Sequence, residues 1–160
     1  MPVGALGETL CDGLHTFEQA PLDRDSDGDL QPRTATLLWR GPWGITNIGY
    51  ECRHGGDPAA RALCGTLEEH MPQEFRTNLV FAILRCYGYT FPAYVAYNWS
   101  AWSAEIELSN QHDRRLRLDV SMYQPGDLRD AIRLVLLPPG YNQDARPLPT
   151  LREPIPPARN

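Results

Sequence analysis

Apolar residues recur along the chain with two different periods, and the change of period separates helical from extended stretches. Leu6, Leu10, Leu14 and Phe17 are spaced by four, four and three, the stripe of an amphipathic helix over residues 6–18, with Gly7 and Gly13 as weak positions in it. The following "APLDRDSDGDLQPR" is polar, charged and bounded by Pro21 and Pro32, which marks a loop. "ATLLWR" and "ITNIGYEC", on either side of "GPWG", read as two strands around a turn. Asp57-Pro58 then starts a helix, because the aspartate can accept orphan N–H groups and proline at the first helical position loses none. It runs to about His70 with Ala60, Leu63, Cys64 and Leu67 on one side. After Met71-Pro72 a second helix puts Phe75, Leu79, Ala82, Ile83 and Cys86 inside and ends at Gly88.

From Tyr89 the period becomes two. Phe91, Ala93, Val95, Tyr97 and Trp99 alternate with smaller or polar residues, Ala104, Ile106 and Leu108 continue the pattern, and "SNQHD" turns the chain into a return strand bearing Leu116, Leu118, Val120 and Met122. Asp127 is expected to cap a final helix, with Leu128, Ile132, Val135 and Leu136 on one face and "PPG" stopping it. The expected fold is α+β in the order αββααβββα: a single domain over residues 1–140, with an acidic loop at 23–34 and an antiparallel sheet packed against a helical hairpin and a C-terminal helix. Residues 141–160 form a proline-rich tail or surface strap.

At 160 residues and 42% hydrophobic, the chain is long enough for one real core. No apolar run approaches the roughly 18 residues of a membrane span, and the N-terminus lacks the basic leader of an intact secretory signal. The net charge of −5 argues against general nucleic-acid binding, which needs a basic surface. All 15 basic residues are arginine. Schiff-base and P-loop lysine chemistry is thereby excluded, and the bias reads as GC-rich coding, with avoidance of lysine-directed tagging or modification as the alternative.

Cys11, Cys52, Cys64 and Cys86 show no CxxC or zinc-ribbon spacing. Their even number favours at least one disulfide and an exported location, extracellular or periplasmic, over a cytoplasmic one, with buried free thiols as the alternative. If the two central helices form an antiparallel hairpin, Cys86 returns toward Cys52. That leaves Cys11 for Cys64, among three connectivities that sequence permits.

The stretch "NWSAWSAEIEL" concentrates the candidate chemistry. Trp99-Ser100-Ala101-Trp102-Ser103 resembles the WSxWS box of the type I cytokine receptors over five residues of 160, and the family's arginine ladder has no counterpart in the preceding strand. Tyr97, Trp99 and Trp102 are candidate interface aromatics. Asn98 opens a glycosylation sequon. Glu105-Ile106-Glu107 resembles the ExE pair of the arginine-type ADP-ribosyltransferases. The resemblance implies one carboxylate orienting the nicotinamide ribose, the other activating the acceptor, and an early-strand arginine, here Arg40; the family's Ser-Thr-Ser strand is missing. Read by pattern alone, the two glutamates share a face with Arg115 and Arg117 across the hairpin and form cross-strand ion pairs.

Asp23, Asp25, Asp27 and Asp29 stand at alternate positions in a DxDxDG run that resembles a calcium loop, so Ca²⁺ is the one cofactor on offer. Thr34 stands where an EF-hand has its bidentate glutamate, and Asp/Gly-rich turns form without metal. The histidines show no paired-ligand spacing, and no GxSxG or phosphate-cradling loop occurs. "RPLPTLR" resembles an RxLPxxP proline-rich ligand with Arg152 in place of its second proline. The leading expectation is a small non-catalytic protein-binding module of inhibitor, immunity-factor or secreted-decoy type, with a protein partner and neither nucleic acid nor membrane span. The alternative is a small enzyme, ADP-ribosyltransferase-like through Arg40, Glu105 and Glu107, or thiol-dependent.

Overall fold

A computed structural model describes residues 4–39, 49–71, 76–90, 101–111, 114–123 and 128–154, with side chains described from Leu10 onward. Three helices, α1 (Gly4–Gln19), α2 (Pro58–Glu69) and α3 (Thr77–Arg85), accompany five strands, β1 (Arg33–Trp39), β2 (Tyr50–Arg53), β3 (Trp102–Gln111), β4 (Arg114–Met122) and β5 (Ala131–Leu137). The strands form one antiparallel sheet in the order β2-β1-β5-β4-β3. The helices close one side of it. Leu14 and Phe17 of α1, Leu63 and Leu67 of α2, and Leu79 and Ile83 of α3 meet the inward-facing residues of β1, β4 and β5 in one buried cluster. Burying each such side chain contributes about 1.5–3 kcal/mol, which makes this cluster the main source of stability.

The expected start of the second central helix, with Phe75, lies outside the described residues, while the α+β architecture, the Asp57-Pro58 helix start and the pairing of β1 with β2 and of β3 with β4 stand. The expected C-terminal helix does not: residues 131–137 are β5, between β1 and β4 at the centre of the sheet and buried along its whole length. The run "AIRLVLL" satisfies a helical stripe and a two-sided buried strand equally well, and β-branched Ile132 and Val135 suit the strand. Two neighbours with open ladder edges decide it. The Asp127 cap and the expected strand at 91–99 lie outside the described residues.

Two buried ion pairs fix how the elements meet. Arg33, at the start of β1, donates to the carbonyls of Phe17, Ala20 and Pro21 and to the Asp57 carboxylate, at 2.6–3.0 Å. One guanidinium thus satisfies the end of α1, which has no basic residue in its own last turn. Asp57 uses the same oxygen to accept from Ala60 N–H at 2.9 Å, the cap anticipated from Asp57-Pro58. On the far side Arg76 pairs with Asp130 at 2.6 Å and lies over the Trp39 ring, 5.4 Å from its centre. Asp130 also accepts from the N–H of Tyr123, whose φ of 53° is left-handed. Lysine could not replace arginine at such positions, because only the guanidinium presents several donors in a fixed plane.

Cys11 is bonded to Cys86 and Cys52 to Cys64, with Cα–Cα distances of 5.2 and 5.7 Å. Two disulfides therefore form, with a connectivity other than the expected Cys52–Cys86 and Cys11–Cys64. The end of α3 returns to α1 instead of to the start of α2, and α2 lies over β2, where Cys52 shares the core face with its register partner Leu37. Gly13 belongs to the same packing. A Cβ there would sit 2.9 Å from the Thr66 methyl, so the glycine that weakens α1 locally lets it approach α2.

Candidate functional site

The other face of the sheet is charged. In register across it, Glu105 of β3 faces Asp119 of β4, Asp119 faces Arg133 of β5, and Arg133 faces Thr36 of β1. The next row holds Glu107, Arg117, Val135 and Thr34, and the row on the other side Ser103, Ser121, Ala131 and Leu38. Toward β1 and β5 this face is closed, with Leu38, Val135 and Leu137 fully buried. Residues 141–154 form part of the cover. Arg133 donates to Pro149 O, Arg129 N–H to Glu153 O at 2.8 Å, and Pro154 bridges to Leu128. Glu153 is clamped by Arg53 while Arg129 and Arg53 share Glu51. The hydrogen bond from Arg129, against partial burial and with help from Arg53, holds the Glu51 carboxyl below its usual range.

Between this strap and the open half of the sheet runs a groove of about 690 Å³. Its floor comes from Ser103, Glu105, Arg117, Asp119, Ser121 and Arg133, and its outer wall from Gln143, Asp144 and the segment Pro147 to Arg152. Asp119, 2% exposed, is the hub: it accepts from Arg117 Nε and Nη2 at 2.6 and 3.0 Å and from Arg133 Nε and Nη2 at 3.0 and 2.8 Å. Burial works against the charge on Arg117. The hydrogen bonds and charge of Asp119, assisted by Glu105 and Glu107, more than offset it, so its pKa stands above the ordinary arginine value.

Two groups in the groove, Ser121 and Glu105, and one beside it, Glu107, are not used up by the fold. The hydroxyl of Ser121 is buried and has no hydrogen-bond partner among the described residues. Glu105 and Glu107 are exposed, and neither carboxylate makes an ion pair or hydrogen bond there. The cross-strand ion pairs expected with Arg115 and Arg117 do not form. Glu107 does face Arg117, but Asp119, two residues along the same strand, takes the Nε and Nη2 donors of that guanidinium. A β-bulge between Glu107 and Ser109 sets Arg115 opposite Asn110. This arrangement can hold a polar or charged ligand group in a preformed cleft.

No family model, curated protein or solved structure matches this chain. Its own residues therefore carry the functional reading.

The remaining expected sites are not brought together among the described residues. Arg40, Tyr97 and Trp99 lie outside the described residues. Trp102 is half-buried and faces the core beside Met122, its register partner, so it does not line the groove. Among the described residues no group of three or more His, Cys, Asp or Glu is placed to hold a metal ion, the run Asp23, Asp25, Asp27 and Asp29 included. Asp25 instead organises its own loop: one carboxylate oxygen accepts from Asp27 and Asp29 N–H at 2.9 and 3.0 Å, the other from Gln31. Arg146, at 3.4 Å from Asp29, ties the loop to the strap. All four cysteines are oxidised, which leaves no thiolate in this state for thiol chemistry.

Sequence reading missed Asp119, Ser121, Arg133, Asp144 and Arg152 as partners in one site. Arg117, Asp119 and Ser121 do alternate with apolar residues along β4, the signal of a strand whose second face is polar. Nothing local indicates that the strap returns over them.

Proposed function

We propose that this protein is an exported, non-catalytic binding module that engages a protein partner through the open half of its outer sheet face, around the groove between β3 and the strap. The observation that carries this reading is the pair of exposed carboxylates on β3, Glu105 and Glu107, which make no ion pair or hydrogen bond among the described residues, beside a cleft whose floor is the hydrogen-bonded cluster of Arg117, Asp119 and Arg133. Buried charges held by four hydrogen bonds are set for rigidity, while exposed, unpaired charges break no internal bond when they turn to a partner. Two disulfides support export, and among the described residues no helix is long and apolar enough to cross a membrane.

Affinity capture from the native host tests this. Glu105→Arg/Glu107→Arg should abolish retention of the partner that the unaltered protein captures, and Glu68→Arg, on exposed α2, should retain it. Equal capture by all three baits would place the interface elsewhere.

A further inference from the structure

We infer that the groove accepts an extended peptide segment bearing basic side chains, seated against Glu105 and Glu107 and anchored at its base by the Ser121 hydroxyl. This rests on the protein-binding reading and names the chemistry of what binds. Charge selects the sign. Among the described residues, the open groups at the groove are the carboxylates of Glu105 and Asp144 with Glu107 two residues along the same face, three acids against the guanidiniums of Arg152 and, beside Arg117 on that face, Arg115. Arg117 and Arg133 spend their Nε and Nη2 donors on Asp119 and leave an anion chiefly Arg117 Nη1, whereas a cation meets carboxylates with all their lone pairs free.

Shape selects an extended chain. The floor is the extended β3–β4 pair and the outer wall is non-helical chain, residues 147–152, in which Pro147 and Pro149 have no N–H to offer a ladder. An incoming segment is therefore held by its side chains. Alternate residues of such a segment point the same way, matching the two-residue spacing of Glu105 and Glu107, and Leu148, Pro149 and Leu151 line the path for the aliphatic stems of lysine or arginine. Ser121 supplies the second, independent sign of a ligand: a buried hydroxyl without a partner is costly in the free protein and gains its bond when a peptide N–H or carbonyl enters. Arg152 can donate to the carbonyls of the same segment.

Fluorescence polarisation tests this with labelled Gly/Ser peptides that differ only at two alternate positions, occupied by arginine, glutamate or norleucine. The arginine peptide should bind saturably and more weakly as salt rises. Glu105→Gln/Glu107→Gln should weaken it by about tenfold or more. Ser121→Ala should weaken it several-fold without lowering the melting temperature, a combination that a merely structural serine would not give. No saturable binding, equal binding of the norleucine peptide, or indifference to the glutamine variant overturns the inference. Binding of the glutamate peptide that Ser121→Ala weakens would overturn the basic ligand while leaving the groove as the interface; capture of the native partner unaffected by every groove variant would overturn both.

Discussion

Asp119→Asn is the most informative single perturbation of the fold around the site. The side chain is 3% exposed and receives four N–H donors from two guanidinium groups that are themselves 12% and 9% exposed. Asparagine keeps the volume but turns an amide N–H₂ toward cations and supplies one accepting oxygen where two served, so Arg117 and Arg133 are left buried without a counter-charge. Removing one member of a buried ion-pair network costs about 3–5 kcal/mol. For a domain of this size each kcal/mol lowers the melting temperature by about 2–4 °C, so the variant should melt roughly 10 °C lower. Urea unfolding followed by tryptophan fluorescence measures the loss directly, and the slope with denaturant should not change. Replacing all three residues, Arg117→Leu/Asp119→Leu/Arg133→Met, should recover most of the loss, since the penalty comes from stranded charges and not from a missing attraction. A loss below about 1 kcal/mol for Asp119→Asn would refute the reasoning, because it would mean water already reaches the cluster.

Three further outcomes follow from the same geometry. Peptide mapping without reduction should recover Cys11–Cys86 and Cys52–Cys64; removing the first, which closes a 75-residue separation, should cost about 4 kcal/mol, and removing the second, which closes 12, about 3 kcal/mol. Burial first, and then the nearby charge of Glu18, raise the Tyr87 pKa above its ordinary 10.0. The folded state thus favours neutral tyrosine, and its contribution is present below about pH 10 and lost as pH climbs toward the raised value. The urea midpoint should therefore fall less between about pH 8 and about pH 11 in Tyr87→Phe than in the unaltered protein, and an identical fall would contradict it. Arg33→Lys should cost about 2 kcal/mol in thermal unfolding, since an ammonium cannot reach three carbonyls and a carboxylate at once.

How much of the fold and site is legible in the sequence depends on how local each determinant is. Asp57-Pro58 announced α2 because a cap and an N1 proline act within one turn, and Gly88, at a φ of 85°, marks the end of the turn after α3 for the same reason. β5 was illegible because its apolar run fits two periods and only the neighbouring strands choose between them. The cysteine pairing depended on α1 packing against α3, a contact that no local spacing encodes. At the site, the free glutamates were visible, but their supposed partner Arg117 is claimed by Asp119, and the strap that completes the groove meets its floor through contacts such as Arg133 with Pro149. The absence of lysine also has a structural side: Arg33, Arg76, Arg129 and Arg133 are all buried, and each uses the geometry of a guanidinium.

Site-specific photo-crosslinking tests partner binding at the groove most directly. With p-benzoylphenylalanine replacing Gln143 in the groove wall, the protein should form a covalent adduct with one host protein, and the same group replacing exposed Glu69 on α2 should form none. An adduct at Glu69 with none at Gln143 would contradict binding through the groove.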